Sequence, residues 1–201
     1  MKIRLGDDKM TTRKQQAFRT KRKIFDISIQ LFAKHSFDKV SIKTICERCS
    51  ISIGGFYHHY KSKTDILDEG YRLFDQQVKD AFDQYSNKTS MDALYFLIHE
   101  QTKSIESLGY QAYAQYLCHT IQINERYIFN QNRFFPQKIH ECVKNAVQGH
   151  QLCGDPKMIA EEILSTTRSI AYDWCLHNGS YSLSVRSLKL TKMILWFYSQ
   201  F

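Results

Sequence analysis

Basic, phenolic, imidazole and hydroxyl side chains crowd residues 40–63, VSIKTICERCSISIGGFYHHYKSK. Lys43 and Lys63 can donate to phosphate, as can the hydroxyls of Thr44 and Ser52. Tyr57, His58 and His59 can bond phosphate oxygens or the edges of bases. Ile53-Gly54-Gly55 forms a small face that permits close approach. Consecutive glycines lower helix stability by about 1 kcal/mol each relative to alanine, so their presence points to a need for that approach.

Other chemistries fit the chain less well. Cys46-Glu-Arg-Cys49 has the spacing of half a zinc ribbon, but no other cysteine pair repeats it. These two thiols are expected to pack, with redox sensing as the rival reading. Cys118, Cys142, Cys153 and Cys175 lie in helical patterns, as expected of reduced small hydrophobes. His99, His119 and His140 fall on separate segments without metal-ligand spacing. There is no nucleophile–base pair, metal cluster or phosphate loop, so neither catalysis nor a metal or cofactor is expected.

The elements that must position residues 40–63 are helical. Ile24, Phe25, Ile27, Ile29, Leu31 and Phe32 repeat at three- and four-residue steps, which predicts a helix from about Arg19 to Lys34. Residues 1–18 have no clear apolar period and read as a mobile basic arm. Ser41 is placed to cap a second helix with Ile42, Ile45 and Cys46 inward. Ser50-Ile51-Ser52 makes a turn, and Ser52 caps a short third helix, Ile53 to His59. A short second helix, a tight turn and an exposed third helix form the pattern of a helix-turn-helix, in which the last element enters the major groove of DNA.

Charge agrees with that placement. The net charge is +8. Residues 1–67 hold 15 Lys and Arg against 6 Asp and Glu, whereas residues 68–201 hold 13 against 14. A basic head on a near-neutral body points to a polyanionic partner. No apolar run reaches membrane-spanning length, and the first 25 residues lack a signal-peptide core, so a cytoplasmic protein is expected.

Beyond Ser62-Lys63-Thr64-Asp65, a capping box, the pattern continues as helices. One runs towards Tyr85. A polar linker over Ser86-Asn87-Lys88-Thr89-Ser90 follows, with Ser90 as the next cap. Further helices cover about 91–107, 110–123 and 134–149. Asp155-Pro156 opens another that ends at Asn178-Gly179, and the last runs from Leu183 to about Gln200. With no strand alternation or internal repeat, the chain reads as all-α.

Residues 19–67 resemble the DNA-binding region of the TetR family of transcriptional regulators. The resemblance is carried by LFAKHSFDKVS, IKTICERCSIS and IGGFYHHYKSKTDIL. It implies an N-terminal helix-turn-helix domain with its basic arm (residues 1–66) and a larger helical effector-binding and dimerisation domain (67–201). It also implies that Lys43, Thr44, Ser52, Ile53, Gly54, Gly55, Tyr57, His58, His59 and Lys63 meet double-stranded DNA. Two departures stand out. Ser36 replaces a glycine common after the first helix, and Cys49-Ser50 replaces Ala-Gly before the turn.

The same resemblance implies a homodimeric repressor that binds a palindromic operator and is released by a small apolar or aromatic effector. Tyr95, His99, Tyr113, Tyr116, His119, Phe134 and Tyr172 are candidates to line the effector pocket. Two apolar stripes are candidates for a four-helix dimer interface, with the chain's own core as the alternative and both able to contribute. They are Ile159, Ile163, Thr167, Ile170 and Trp174 on one helix, and Leu190, Ile194, Phe197 and Phe201 on the other. An activator or ligand-independent co-regulator of the same fold, or an all-helical enzyme, is the alternative.

Overall fold

A computed structural model describes residues 7–85, 89–122, 127–130 and 132–200, with side chains from Thr12 onwards. Among these residues every regular element is helical. The chain divides into two compact units between Gly70 and Tyr71.

The first unit is built on α1 (Asp7–His35), α2 (Ile42–Cys49) and α3 (Ile53–His59), and it takes the opening turns of α4 (Lys63–Gln84). Ile24, Phe32, Val40, Ile45, Phe56 and Ile66 are buried together in it, the three- and four-residue steps having turned one face of each helix inward. Helix α1 starts at Asp7, so the arm reading is corrected from that residue on; Lys2 and Arg4 lie outside the described residues. Apolar periodicity could not reveal this part of the helix, because residues 12–19 are all exposed and bury no face.

The second unit takes the rest of α4, then α5 (Ser90–Leu108), α6 (Tyr110–Gln122), a 3-10 turn (Tyr127–Phe129), α7 (Phe134–Gln148), α8 (Pro156–Leu176) and α9 (Leu183–Tyr198). Its main core joins Leu94, Leu97 and Ile98 to Ile139, Val143, Ile159, Ile163 and Leu195. A smaller cluster gathers Ile170, Ala171, Trp174 and Leu183. Thr89, not Ser90, caps α5, accepting from the Asp92 amide at 3.1 Å. The rest of the polar linker, Ser86 to Lys88, lies outside the described residues.

Buried charge in this unit closes on itself. Arg133 donates to both carboxylate oxygens of Asp75, at 2.7 and 3.3 Å, and its guanidinium lies over the Tyr71 ring. Asp75 also accepts from the Phe135 amide at 3.2 Å. It thereby satisfies the start of α7, where Arg133 at the cap position offers no side-chain acceptor. Glu106 on α5 does the same for α9, accepting from the Ser184 amide and from the hydroxyls of Ser182 and Ser184.

Candidate nucleic-acid interface

The helix-turn-helix is assembled by short-range caps. The Ser41 hydroxyl accepts from the Thr44 amide at 3.0 Å and also bonds the Thr44 hydroxyl, so Thr44 turns back on its own helix. Ser50 ends α2 in the left-handed region (φ 55°, ψ 47°), its amide bonded to Glu47 O and that of Ile51 to Cys46 O. The Lys23 ammonium covers the terminal Cys49 carbonyl at 2.9 Å. Ser52 then starts α3 by accepting from the Gly55 amide at 3.0 Å.

Helix α3 has one inward residue, Phe56, fully buried, with Tyr60 tucked behind it. Its other side is open. Ile53 is 52% and Tyr57 53% exposed, values unusual for large apolar and aromatic side chains that have a packing role. The Tyr57 ring meets Phe56 edge-on at 5.5 Å, which orients the phenol without covering it. A Cβ on Gly54 would meet nothing closer than the Ser52 hydroxyl at 3.9 Å. Nothing inside the chain requires glycine there. Gly55 is tighter, 3.3 Å from the same oxygen. Lys43, Ser52 and His58 are exposed beside them.

Lys63 is placed differently from the expectation of a lysine held out to phosphate. Its ammonium donates to Phe37 O and Val40 O, both at 2.8 Å, over the Phe37 ring. It ties down the loop between α1 and α2. His59 is half-buried, and its pKa is lowered by burial and by the neighbouring His58 and Lys21. Cys46 and Cys49 are buried, and burial raises both thiol pKa values, with Glu47 adding to it at Cys46. Protonated, enclosed thiols are poor nucleophiles, which favours packing over redox sensing. Cys46 Sγ points to Ser52 O at 3.7 Å, part of the turn.

The seven candidate pocket residues do not come together. Tyr113, Tyr116 and His119 share the inner side of α6, where Tyr116 meets Tyr71 edge-on at 5.7 Å and Tyr71 stacks on Tyr127. Burial, together with Tyr71 and Cys175, drives the Tyr113 hydroxyl well above its ordinary pKa. Tyr95 and Phe134 instead pack against the main core. His99 is exposed and Tyr172 is half-exposed. Tyr71, Tyr127 and Arg133 escaped sequence reasoning, since no local pattern marks residues brought together over such separations.

The two stripes offered to a partner are largely the chain's own interior. Ile159, Ile163, Thr167, Ile170 and Trp174 are buried, and Leu190 and Ile194 are partly covered. Phe197 alone among the described members is open, and Phe201 lies outside the described residues. The exposed apolar residues sit on the opposite faces: Met158, Tyr172 and Leu176 on α8, and Val185, Met193 and Trp196 on α9. Among the described residues no cluster of three acidic, histidine or cysteine side chains could hold a metal ion, and no helix is long and apolar enough to cross a membrane.

Comparison with known proteins agrees with this geometry. Residues 24–70 match the family model for bacterial regulatory proteins of the tetR family. The HTH-type transcriptional regulator UidR of Escherichia coli K12 is 31% identical over 108 residues, 54% of this chain and 50% of the relative. The chain thus spans about half the length of this curated relative. Two solved structures share the fold. PfmR, a TetR family transcriptional regulator from Thermus thermophilus, has a TM-score of 0.65 at 18% identity, covering 86% of this chain and 97% of that one. SmeT in its complex with triclosan has a TM-score of 0.67 at 16% identity, covering 90% and 92%. Residues 24–70 thus match the DNA-binding region of the tetR family of bacterial regulatory proteins, and the whole chain is similar in fold to solved regulators of that family.

Proposed function

We propose that this chain is a cytoplasmic transcriptional repressor, not an enzyme, that binds operator DNA as a homodimer and is released by a small apolar or aromatic effector. One observation carries the DNA reading. The open side of α3 presents Tyr57 and Ile53 beside a Gly54 that the fold itself does not need. In this reading α3 enters the major groove, Tyr57 and Lys43 contact phosphate or base edges, and Ser52, Thr44, Gly55 and His58 border the contact. Lys63 and His59 serve by holding the unit together.

The exposed faces of α8 and α9 support a dimer. An open groove of about 630 Å³ runs beside Val185, Leu188, Lys189, Lys192, Met193 and Trp196 on α9. A homodimer would offer two α3 helices to the half-sites of a palindrome, which lie about 34–36 Å apart on adjacent turns of DNA. The Tyr113–Tyr116–His119 side of α6, an enclosed aromatic surface with polar groups, is the best-supported place for the effector. The triclosan bound by SmeT, a protein of the same fold, suits an aromatic ligand.

Selection from random duplexes, followed by titration of the selected site, tests the proposal. Tyr57→Ala is expected to weaken specific binding at least tenfold while thermal unfolding stays close to that of the parent chain. Unchanged affinity for the selected site would remove α3 as the reading element.

A further inference from the structure

Residues 12–19 of α1 contribute no buried side chain to the first unit. Residues 12–19 are exposed on every side of the helix, Phe18 to 67%. A helix that buries no face gains little from packing, and so short an overhang is marginal in water without a partner. Its charge says what partner would suit it. Residues 9–25 carry seven lysines and arginines and no acid.

Three of these cations are already committed. Lys21 pairs with Glu69 at 2.6 Å and Lys23 covers Cys49 O. Arg22 pairs with Asp26 within α1. Arg13, Lys14 and Arg19 are exposed and have no carboxylate partner among the described residues. Lys21 and Lys23 also fix where the overhang begins. Lys21 lies against Tyr60, whose hydroxyl donates to Lys21 O, and Lys23 sits at the turn that leads into α3. The free cations therefore continue directly from the α2–α3 turn. From Lys23 back to Arg13 is ten helical residues, about 15 Å. That span matches the rise of roughly four base pairs.

We infer that the α1 overhang is a second DNA-binding element, in which Arg13, Lys14 and Arg19 neutralise backbone phosphates flanking the site read by α3. The inference rests on the DNA-binding reading above. Contacts of this kind carry no sequence information, but each releases a condensed counterion. They extend the footprint and steepen the salt dependence, leaving base preference alone.

The double variant Arg13→Gln, Lys14→Gln tests it, since neither side chain touches the core and both glutamines keep the helix. Binding to a fluorescent 30-base-pair random duplex is titrated from 50 to 200 mM salt. Each lost contact should reduce the affinity change over that range by about 3.5-fold, hence about 12-fold for two. On a selected site, preference over random duplex should hold while the protected segment shortens on its outer sides. A salt slope and footprint equal to the parent's would overturn the inference. Tyr57→Ala run in parallel separates the two readings. If it abolishes site preference while Arg13→Gln, Lys14→Gln changes nothing, only the overhang is excluded; if the parent shows no salt-dependent DNA binding, the DNA reading itself fails.

Discussion

The face of α3 and the interior of the second unit treat polar and large side chains in opposite ways. On α3, Tyr57 and His58 stand open, and Gly54 has free space around it. In the second unit, Asp75, Arg133 and Glu106 are closed on partners within the same unit. Groups that the fold has already satisfied hold the structure; groups it leaves unsatisfied or unpacked are free to meet something else. Substitution should therefore separate the two regions, stability moving in one and binding in the other.

The largest effect belongs to Asp75. Asp75→Ala leaves the Arg133 guanidinium buried without its carboxylate and the Phe135 amide in the first turn of α7 without an acceptor. Breaking a buried pair from one side costs about 3–5 kcal/mol. Urea unfolding should show that loss. A loss under about 1 kcal/mol would mean that water reaches the pair and that the second unit differs less from α3.

Much of the α3 region was legible in the sequence, and the reason is distance along the chain. Ser41 with Thr44 and Ser52 with Gly55 are pairs three residues apart, so composition and spacing alone announce them. Lys63 with Phe37 and Val40, or Asp75 with Arg133, join residues far apart, and no periodicity marks them. The same limit left two uses open for the stripes of α8 and α9. An apolar stripe shows that a face is buried, not whether the chain or a second copy buries it. Here Ile159, Ile163 and Trp174 fill the chain's own core, and the open residues Met158 and Trp196 fall outside both stripes.

Serines at positions where the family often has glycine give the next effect. Ser36 and Ser50 both hold positive φ, 64° and 55°. A left-handed L-residue is strained by about 1–2 kcal/mol. Glycine relieves that strain but loses about 0.5–1 kcal/mol to the greater freedom of the unfolded chain. Ser50→Gly should therefore raise stability by up to about 1.5 kcal/mol, visible as a higher melting temperature. Because Ser50 sets the turn before α3, unchanged DNA affinity is expected with it. A lower melting temperature would show that the serine hydroxyl contributes something the relieved strain does not outweigh.

The Glu106 cap should be visible as a pH dependence confined to acid. Burial raises its pKa, but the bonds from Ser184, Leu183 and Ser182 outweigh that and leave it below the ordinary glutamate value. A carboxylate with a depressed folded pKa stabilises fully above its unfolded value, about 4.3, and the contribution fades as pH falls through the folded pKa. Glu106→Gln should therefore lower stability at pH 6 and flatten the acid limb, so that the two chains converge as pH falls below the depressed folded pKa. Parallel curves across this range would show that the carboxylate charge is not what holds α9. DNA binding at neutral pH should be the same for both chains.

Gly54→Ala has the smallest effect and the most informative, because its two readouts should move in opposite directions. Alanine favours the helix by up to about 0.5–1 kcal/mol, and its methyl would enter open space. A position kept only for folding should therefore improve on substitution, with nothing lost elsewhere. If the open side of α3 lies against DNA, that same methyl stands in the contact, and specific affinity should fall while the melting temperature rises. Gains in both would leave Gly54 without a reason in either the fold or the interface. A fall in both would place a neighbour against Gly54 that the free chain does not show. Only stability gained with affinity lost fits a glycine held in place by what binds α3.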